Sequence, residues 1–286
     1  MKRFILMSAF IGITSISACL PKGMAQNIDS LFYVNQDTTG LEKSIVLEEA
    51  TWPARMNEFI RSGGRWTDTL YDADFSKIDN YAMNLTKKYR NIPALAKALT
   101  EPYEKEEEKV RSIFMWIVHN LAYDEIELER IRKNKGKYVV NISSRDSQSE
   151  ITKKYQKHYY KYATKVMRKK RGICEGYSTL FYELCKASGI QCELVNGYAD
   201  YDTTVVNNYK KRNVCPTMHS WNKVEINGEW LYIDVTWANR NIYNGKRYES
   251  EFYSPLYYLV TEDRLYDTHI ENKERSQRRN ELVGNF

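Results

Sequence analysis

Asn227-Gly228, set between two runs of alternating apolar and polar residues at 219–226 and 229–236, constrains this chain more tightly than any other feature. The dipeptide supplies the positive φ values that a two-residue type I′ turn requires, so its flanks pair as an antiparallel hairpin. A two-residue loop also fixes the register: Ile226 stands opposite Glu229, Trp221 opposite Asp234 and His219 opposite Thr236. Because side chains alternate along a strand, His219, Trp221, Lys223 and Glu225 share one face with Trp230, Tyr232, Asp234 and Thr236. Val224, Ile226, Leu231, Ile233 and Val235 occupy the other, which is the core-facing set. His219 and Asp234 become diagonal neighbours, about 7–8 Å apart at the backbone, within reach of an imidazole–carboxylate hydrogen bond.

Residues 172–238 as a whole read as turn, helix, strand, polar excursion and hairpin. Tyr177, Leu180, Phe181 and Leu184 mark one helical face, and Ser188-Gly189 ends it. Ile190, Cys192 and Leu194 then alternate as a half-buried strand. Cys174 lies immediately before the helical face begins, between Gly172 and Gly176, which places its sulfur at a helix N-terminus. Unpaired amides and the positive end of the helix dipole favour a thiolate there, and a nearby imidazolium would complete a nucleophilic ion pair. The same amides could hold an oxyanion. A lone helix cysteine is ordinarily a small buried hydrophobe and a lone hairpin histidine a satisfied structural group. Cysteine at a helix start together with histidine and aspartate on one hairpin face is the more specific combination, with Cys174 as nucleophile, His219 as base and Asp234 as its orienter. A metal site from Cys185, Cys192, Cys215 and His219 matches no standard ligand pattern, so no metal or cofactor is expected. His119, His158 and His269 are read as structural, and Trp116 and Trp221 as aromatics packed behind the site.

The remainder is organised around this unit. Leu95, Leu99, Val110, Ile113, Phe114, Ile117, Val118 and Leu121 recur at helical spacing and read as one long amphipathic helix, with Pro102 and the following glutamates in its first turns. Residues 125–166 read as an insertion, and the basic, tyrosine-rich stretch 153–171 as an exposed helix whose tyrosines dock on the domain rather than as a groove for an acidic polymer. Lys2 and Arg3 before the apolar run 4–16 read as an export signal within residues 1–25. Two cleavage readings compete: a lipobox ending at Cys19, which would anchor the chain by lipid, or a small-x-small site before Gln26. The protein is thus expected outside the cytoplasm, periplasmic, at the cell surface or secreted. Residues 26–77 carry no defensible period, 78–270 form the domain, and 271–286 read as a tail. The formal charge of +6 is spread over both signs, which is not the balance of a nucleic-acid binder. Five cysteines, with Cys174 free and Cys19 open to acylation, do not make a disulfide framework.

The motifs Gly172-Ile173-Cys174-Glu175-Gly176-Tyr177, His219-Ser220-Trp221-Asn222 and Asp234-Val235-Thr236-Trp237 resemble the core of the transglutaminase-like superfamily, most of all its kyphoscoliosis-peptidase and cytokinesis-protein type of domain. The helix around Val110-Arg111-Ser112-Ile113 and the segment from Tyr257 to His269 are similar as well. The resemblance implies an α+β, papain-like fold in which a helix with the cysteine at its N-terminus packs on an antiparallel sheet carrying histidine and aspartate. It implies thiol-dependent acyl transfer through a thioester at Cys174, His219 and Asp234, with hydrolysis of a peptide or protein amide preferred and cell-wall peptide among the substrates. Cross-linking to an amine and a non-catalytic binding module are the alternatives. Ser220 departs from the family, which often has alanine there, and the 125–166 segment is longer than usual.

Overall fold

A computed structural model describes residues 75–133, 140–200, 217–239, 241–249, 253–254, 257–266 and 268–284. The export signal, Cys19, Cys215 and the polar excursion after residue 200 lie outside these residues. In chain order the first elements are α1 (Ser76–Met83), α2 (Ile92–Thr100), α3 (Glu106–Asn120), β1 (Ala122–Asp124), α4 (Glu125–Lys133), α5 (Gln148–Lys169) and β2 (Arg171–Gly172). The central unit follows: α6 (Cys174–Ala187), β3 (Cys192–Ala199), β4 (Thr217–Ile226), β5 (Glu229–Ile233) and α7 (Val235–Ala238). Then come β6 (Ile242–Tyr243), β7 (Arg247–Tyr248), α8 (Glu262–Leu265), β8 (His269–Glu271) and α9 (Lys273–Val283).

The helical period that reads as one long helix belongs to two, α2 and α3. Pro102 has no amide to contribute and its ring crowds the preceding turn, so the ladder breaks there. Asn91 caps α2 by accepting from the Ala94 amide at 2.9 Å, and Glu106, Glu107 and Glu108 fill the first turn of α3, where the helix dipole favours them. The charged 125–166 stretch forms α4 and most of α5. A capping box starts α5: the Ser147 hydroxyl accepts from the Glu150 amide while the Glu150 carboxylate accepts from the Ser147 amide. Tyr159 and Tyr162 are buried, so the tyrosines of α5 do dock on the domain, with Tyr160 left at the surface.

Two four-stranded sheets result, ordered β2-β1-β6-β7 and β5-β4-β3-β8. The second is antiparallel throughout, and α6 lies across β3 and β4 with α2, α3 and α5 behind it. This double covering explains why α6 buries residues on every side, Tyr177, Leu180, Phe181, Leu184 and Cys185 among them. The hairpin has the expected register from Ile226↔Glu229 to Asn222↔Ile233, and Asn227 and Gly228 take φ of 52° and 86°. Val224, Ile226, Leu231, Ile233 and Val235 are all buried. The ladder stops at Ile233, so the strand expected to reach Thr236 is cut short. Asp234 instead becomes the N-cap of α7, its Oδ1 accepting from the amides of Thr236 at 2.8 Å and Trp237 at 3.1 Å. Just beyond, the side-chain amides of Asn239 and Asn241 donate to carbonyls of Val118 and Leu121 at 2.6–3.1 Å. These carbonyls at the C-terminal end of α3 have no intrahelical partner, so the two asparagines tie that end to the segment after Asp234.

The segment after residue 270 contains the end of β8 and the helix α9, which packs on β3 and α5. From α9, Arg279 donates to Asn196 Oδ1 and Ser220 Oγ at 2.8 Å and to Thr179 Oγ1 at 2.9 Å, and pairs with Glu175 at 3.4 Å. One guanidinium thus joins α6, β3 and β4. It also gives the Ser220 hydroxyl, the departure from the family's usual alanine, an internal partner. Replacing Arg279 with leucine removes the buried donor shared by Asn196, Ser220 and Thr179 and the charge paired with Glu175, and is expected to cost about 3 kcal/mol in a urea titration. A loss below about 1 kcal/mol would show that water replaces the network. Among the described residues no helix is long and apolar enough to cross a membrane.

Candidate active site

Cys174 is the first residue of α6, preceded by Ile173 in extended conformation (φ −99°, ψ 179°) with no side-chain cap among the described residues. The first amides of a helix lack acceptors in the ladder and its dipole favours a thiolate at Cys174, while the Gly176 amide donates to the Ile173 carbonyl at 2.8 Å. Close packing of α5 dictates the glycine two residues on: a Cβ at Gly176 would stand 2.8 Å from Val166 Cγ2 and 3.1 Å from the Tyr162 hydroxyl. Cys174 is half-buried and free, as are the buried Cys185 and Cys192. It lines a groove shared with Gly197, Met218, His219 and Arg275.

His219 Nε2 lies 2.6 Å from Asp234 Oδ2, and the same imidazole lines one groove with the Cys174 side chain, which helps to raise its pKa. With Nε2 engaged by the carboxylate, Nδ1 is the ring nitrogen left to the thiol. The ring is stacked against Trp221 (centroids 5.8 Å apart, 21° between planes) and flanked by Trp237 at 5.4 Å. Only 7% of the His219 side chain is exposed and none of Asp234. Cys174, His219 and Asp234 are therefore brought together by three different segments: the start of α6, the middle of β4 and the cap of α7.

The electrostatics follow from that enclosure. Burial by itself lowers the pKa of His219, but the charge and hydrogen bond of Asp234, helped by Cys174, raise it to about 10. Burial pushes the Asp234 carboxyl up, and the charge and hydrogen bond of His219, then those of His269, hold it well below the usual carboxylate range. Linkage gives the signs. His219, whose folded value lies above the unfolded 6.5, contributes stability that is complete below 6.5 and is lost as pH rises toward 10. Asp234 contributes stability above its unfolded 3.8 that is lost on acidification. The thermal midpoint is expected to fall steadily from pH 7 to pH 10, and a flat profile over that interval would contradict the buried ion pair.

His269, read from sequence as merely structural, is in fact a second imidazole on Asp234. Its Nε2 lies 3.2 Å from the same Oδ2 that takes His219, and its Nδ1 lies 2.8 Å from Thr268 Oγ1. Nothing local announced this, because the contact depends on β8 pairing with the far side of β3. The only hint was that Thr268-His269 falls in the segment resembling the family's closing residues. His219, Asp234 and His269 each offer one ligand atom within 4.8 Å of the others. Both imidazole nitrogens converge on a single carboxylate oxygen, the arrangement that hydrogen bonding asks for. Trp116 is buried, its indole N–H without a partner among the described residues, and it is not among the residues lining the groove.

The family model described as the transglutaminase-like superfamily matches residues 93–235, half of the chain. Kyphoscoliosis peptidase of Homo sapiens is 26% identical over 189 residues, 65% of this chain and 24% of that protein. Hillarin of Drosophila melanogaster is 24% identical over 188 residues, 63% of this chain and 18% of that protein. The chain thus spans a quarter or less of the length of these curated relatives. Among solved structures, a protein described as a TGase overlaps 71% of this chain and 42% of its own, at 15% identity and a TM-score of 0.30.

Proposed function

The chain belongs to the transglutaminase-like superfamily, and from that premise we propose that it is a thiol-dependent acyl-transfer enzyme that hydrolyses an amide bond of a peptide or protein. One observation carries this reading: a half-exposed cysteine at a helix N-terminus shares a groove with a histidine whose Nε2 rests 2.6 Å from a buried aspartate. In the proposed reaction the Cys174 sulfur attacks the amide carbonyl, and amides at the start of α6 receive the charge that develops on oxygen. His219 gives its proton to the leaving nitrogen as the C–N bond breaks, leaving a thioester on Cys174. Water then loses a proton to His219 and attacks the thioester, releasing the carboxylic acid and restoring the thiol–imidazole pair. Asp234 keeps the ring in the required tautomer throughout. The N-terminal residues favour action outside the cytoplasm, with the chain either anchored by lipid at Cys19 or released by cleavage before Gln26, where cell-wall peptide is one substrate within reach.

The experiment is mass analysis of a glutamine-containing peptide incubated with the protein, with and without a primary amine. The expected product is the hydrolysed peptide, cleaved or deamidated, in both cases. Incorporation of the amine would identify a cross-linking enzyme instead, and an unchanged peptide under both conditions would favour a binding module.

A further inference from the structure

Asp234 accepts four hydrogen bonds, and one of them, from a second imidazole, has no place in a three-residue site. Oδ1 takes two backbone amides at the start of α7, and Oδ2 takes two imidazoles, one on β4 and one on β8. The geometry points to His269 as a positioning residue: it donates from Nε2 to Asp234 and thereby holds the carboxylate oxygen that serves His219. This rests on the acyl-transfer reading of the site.

The hydrogen-bond inventory fixes the tautomer. An ionised carboxylate only accepts, so Nε2 of His269 must carry a proton. A neutral ring then has Nδ1 as an acceptor, and the Thr268 hydroxyl, with one proton to give, must donate there. It lies 2.8 Å from Nδ1 and 3.3 Å from its other acceptor, the Leu265 carbonyl. Neutrality is the cheaper state because the groups facing His269 leave room for one imidazolium only. Its neighbours are Trp221 at 5.0 Å, Trp237 at 4.5 Å, Tyr257 at 6.0 Å and His219 at 5.6 Å, beside the single carboxylate of Asp234. Burial accordingly lowers the pKa of His269 while that of His219 rises. The two histidines that share one oxygen are thus pushed in opposite directions. The terminal torsion of an aspartate is soft, and the amides on Oδ1 alone leave Oδ2 able to swing. A donor fixed on a separate strand removes that freedom, as an outer hydrogen bond does for a metal-bound histidine.

The test uses the full chain and two readouts: the rate of Cys174 alkylation by iodoacetamide at pH 7, and the ¹⁵N-histidine NMR spectrum. In wild type, His269 is expected as the neutral Nε2–H tautomer. His269→Phe keeps an aromatic ring against Trp237 and Tyr257 but loses the donor. It is expected to slow alkylation about tenfold, the worth of one hydrogen bond to a charged group, and to move the His219 Nε2–H resonance. His269→Gln, whose amide can reach the same oxygen, is expected to return both toward wild type. Thr268→Val, which leaves the imidazole in place, is expected to change the His269 tautomer signals and covers the case in which the phenylalanine variant does not fold. A phenylalanine variant identical to wild type in both readouts, a glutamine variant no better than it, or His269 found as Nδ1–H or charged would each overturn the assignment. Should wild-type Cys174 alkylate as an ordinary thiol, the acyl-transfer reading fails, while the NMR spectra still decide whether His269 positions Asp234.

Discussion

Replacing Asp234 with asparagine is expected to slow acylation of Cys174 by a p-nitrophenyl ester about 10⁴-fold without unfolding the protein. Asparagine retains the oxygen that caps α7, so the amides of Thr236 and Trp237 keep their acceptor. Its NH₂ group, however, replaces the Oδ2 that accepts from two imidazoles. To avoid donor facing donor, His219 must expose the Nε2 lone pair and carry its proton on Nδ1, the nitrogen turned toward Cys174. A ring in that state cannot take the thiol proton. His269 faces the same conflict and meets it at less cost, since the Thr268 hydroxyl can turn from donor to acceptor. The check is the nitrophenol burst at pH 7 beside a circular-dichroism melt. A loss below tenfold in a folded variant would mean that Asp234 does not set the tautomer.

His219→Ala is the second large effect. Removing the imidazole takes away both the proton acceptor for the thiol and the donor to the leaving group, and the same burst is expected to fall by about 10²–10⁴-fold. It also strips a fully buried carboxylate of its principal counter-charge. The variant should therefore be less stable than wild type at pH 7 and should lose the decline in melting temperature between pH 7 and pH 10. A variant that is inactive yet keeps that decline would trace it to another group.

The parts of this structure that were legible in sequence are those governed by neighbouring residues. The type I′ turn at Asn227-Gly228 and the alternation on both sides of it defined the hairpin, its register and its core face. Gly172, Cys174, Gly176 and the apolar face after them placed the cysteine at the start of α6. What closed the distance between cysteine and hairpin was family resemblance, since no periodicity relates residues 174 and 219. The departures from the sequence expectation are of two kinds. Some carry a local signal: Pro102 divides α2 from α3, and Asp234 is an N-cap residue inside an alternation that continues through Val235 and Thr236. Others are non-local. His269 meets Asp234, and Arg279 meets Glu175 and Ser220, only because β8 and α9 pack against β3, and neither the hairpin pattern nor the helical face contains that information. His269 lies beyond the matched residues 93–235, and its hydrogen bond helps to hold the Asp234 carboxyl low.

The central claim is that Cys174 and His219 form one acid–base unit. Its most direct test is the pH dependence of Cys174 alkylation by iodoacetamide, wild type against His219→Ala. The imidazolium persists to about pH 10. An imidazolium beside the sulfur favours the thiolate, so wild type is expected to alkylate at pH 7 at least about tenfold faster than the alanine variant, a gap that narrows toward pH 9 as an ordinary thiol ionises near 8.5. Superimposable profiles, both falling below pH 8.5, would contradict the account.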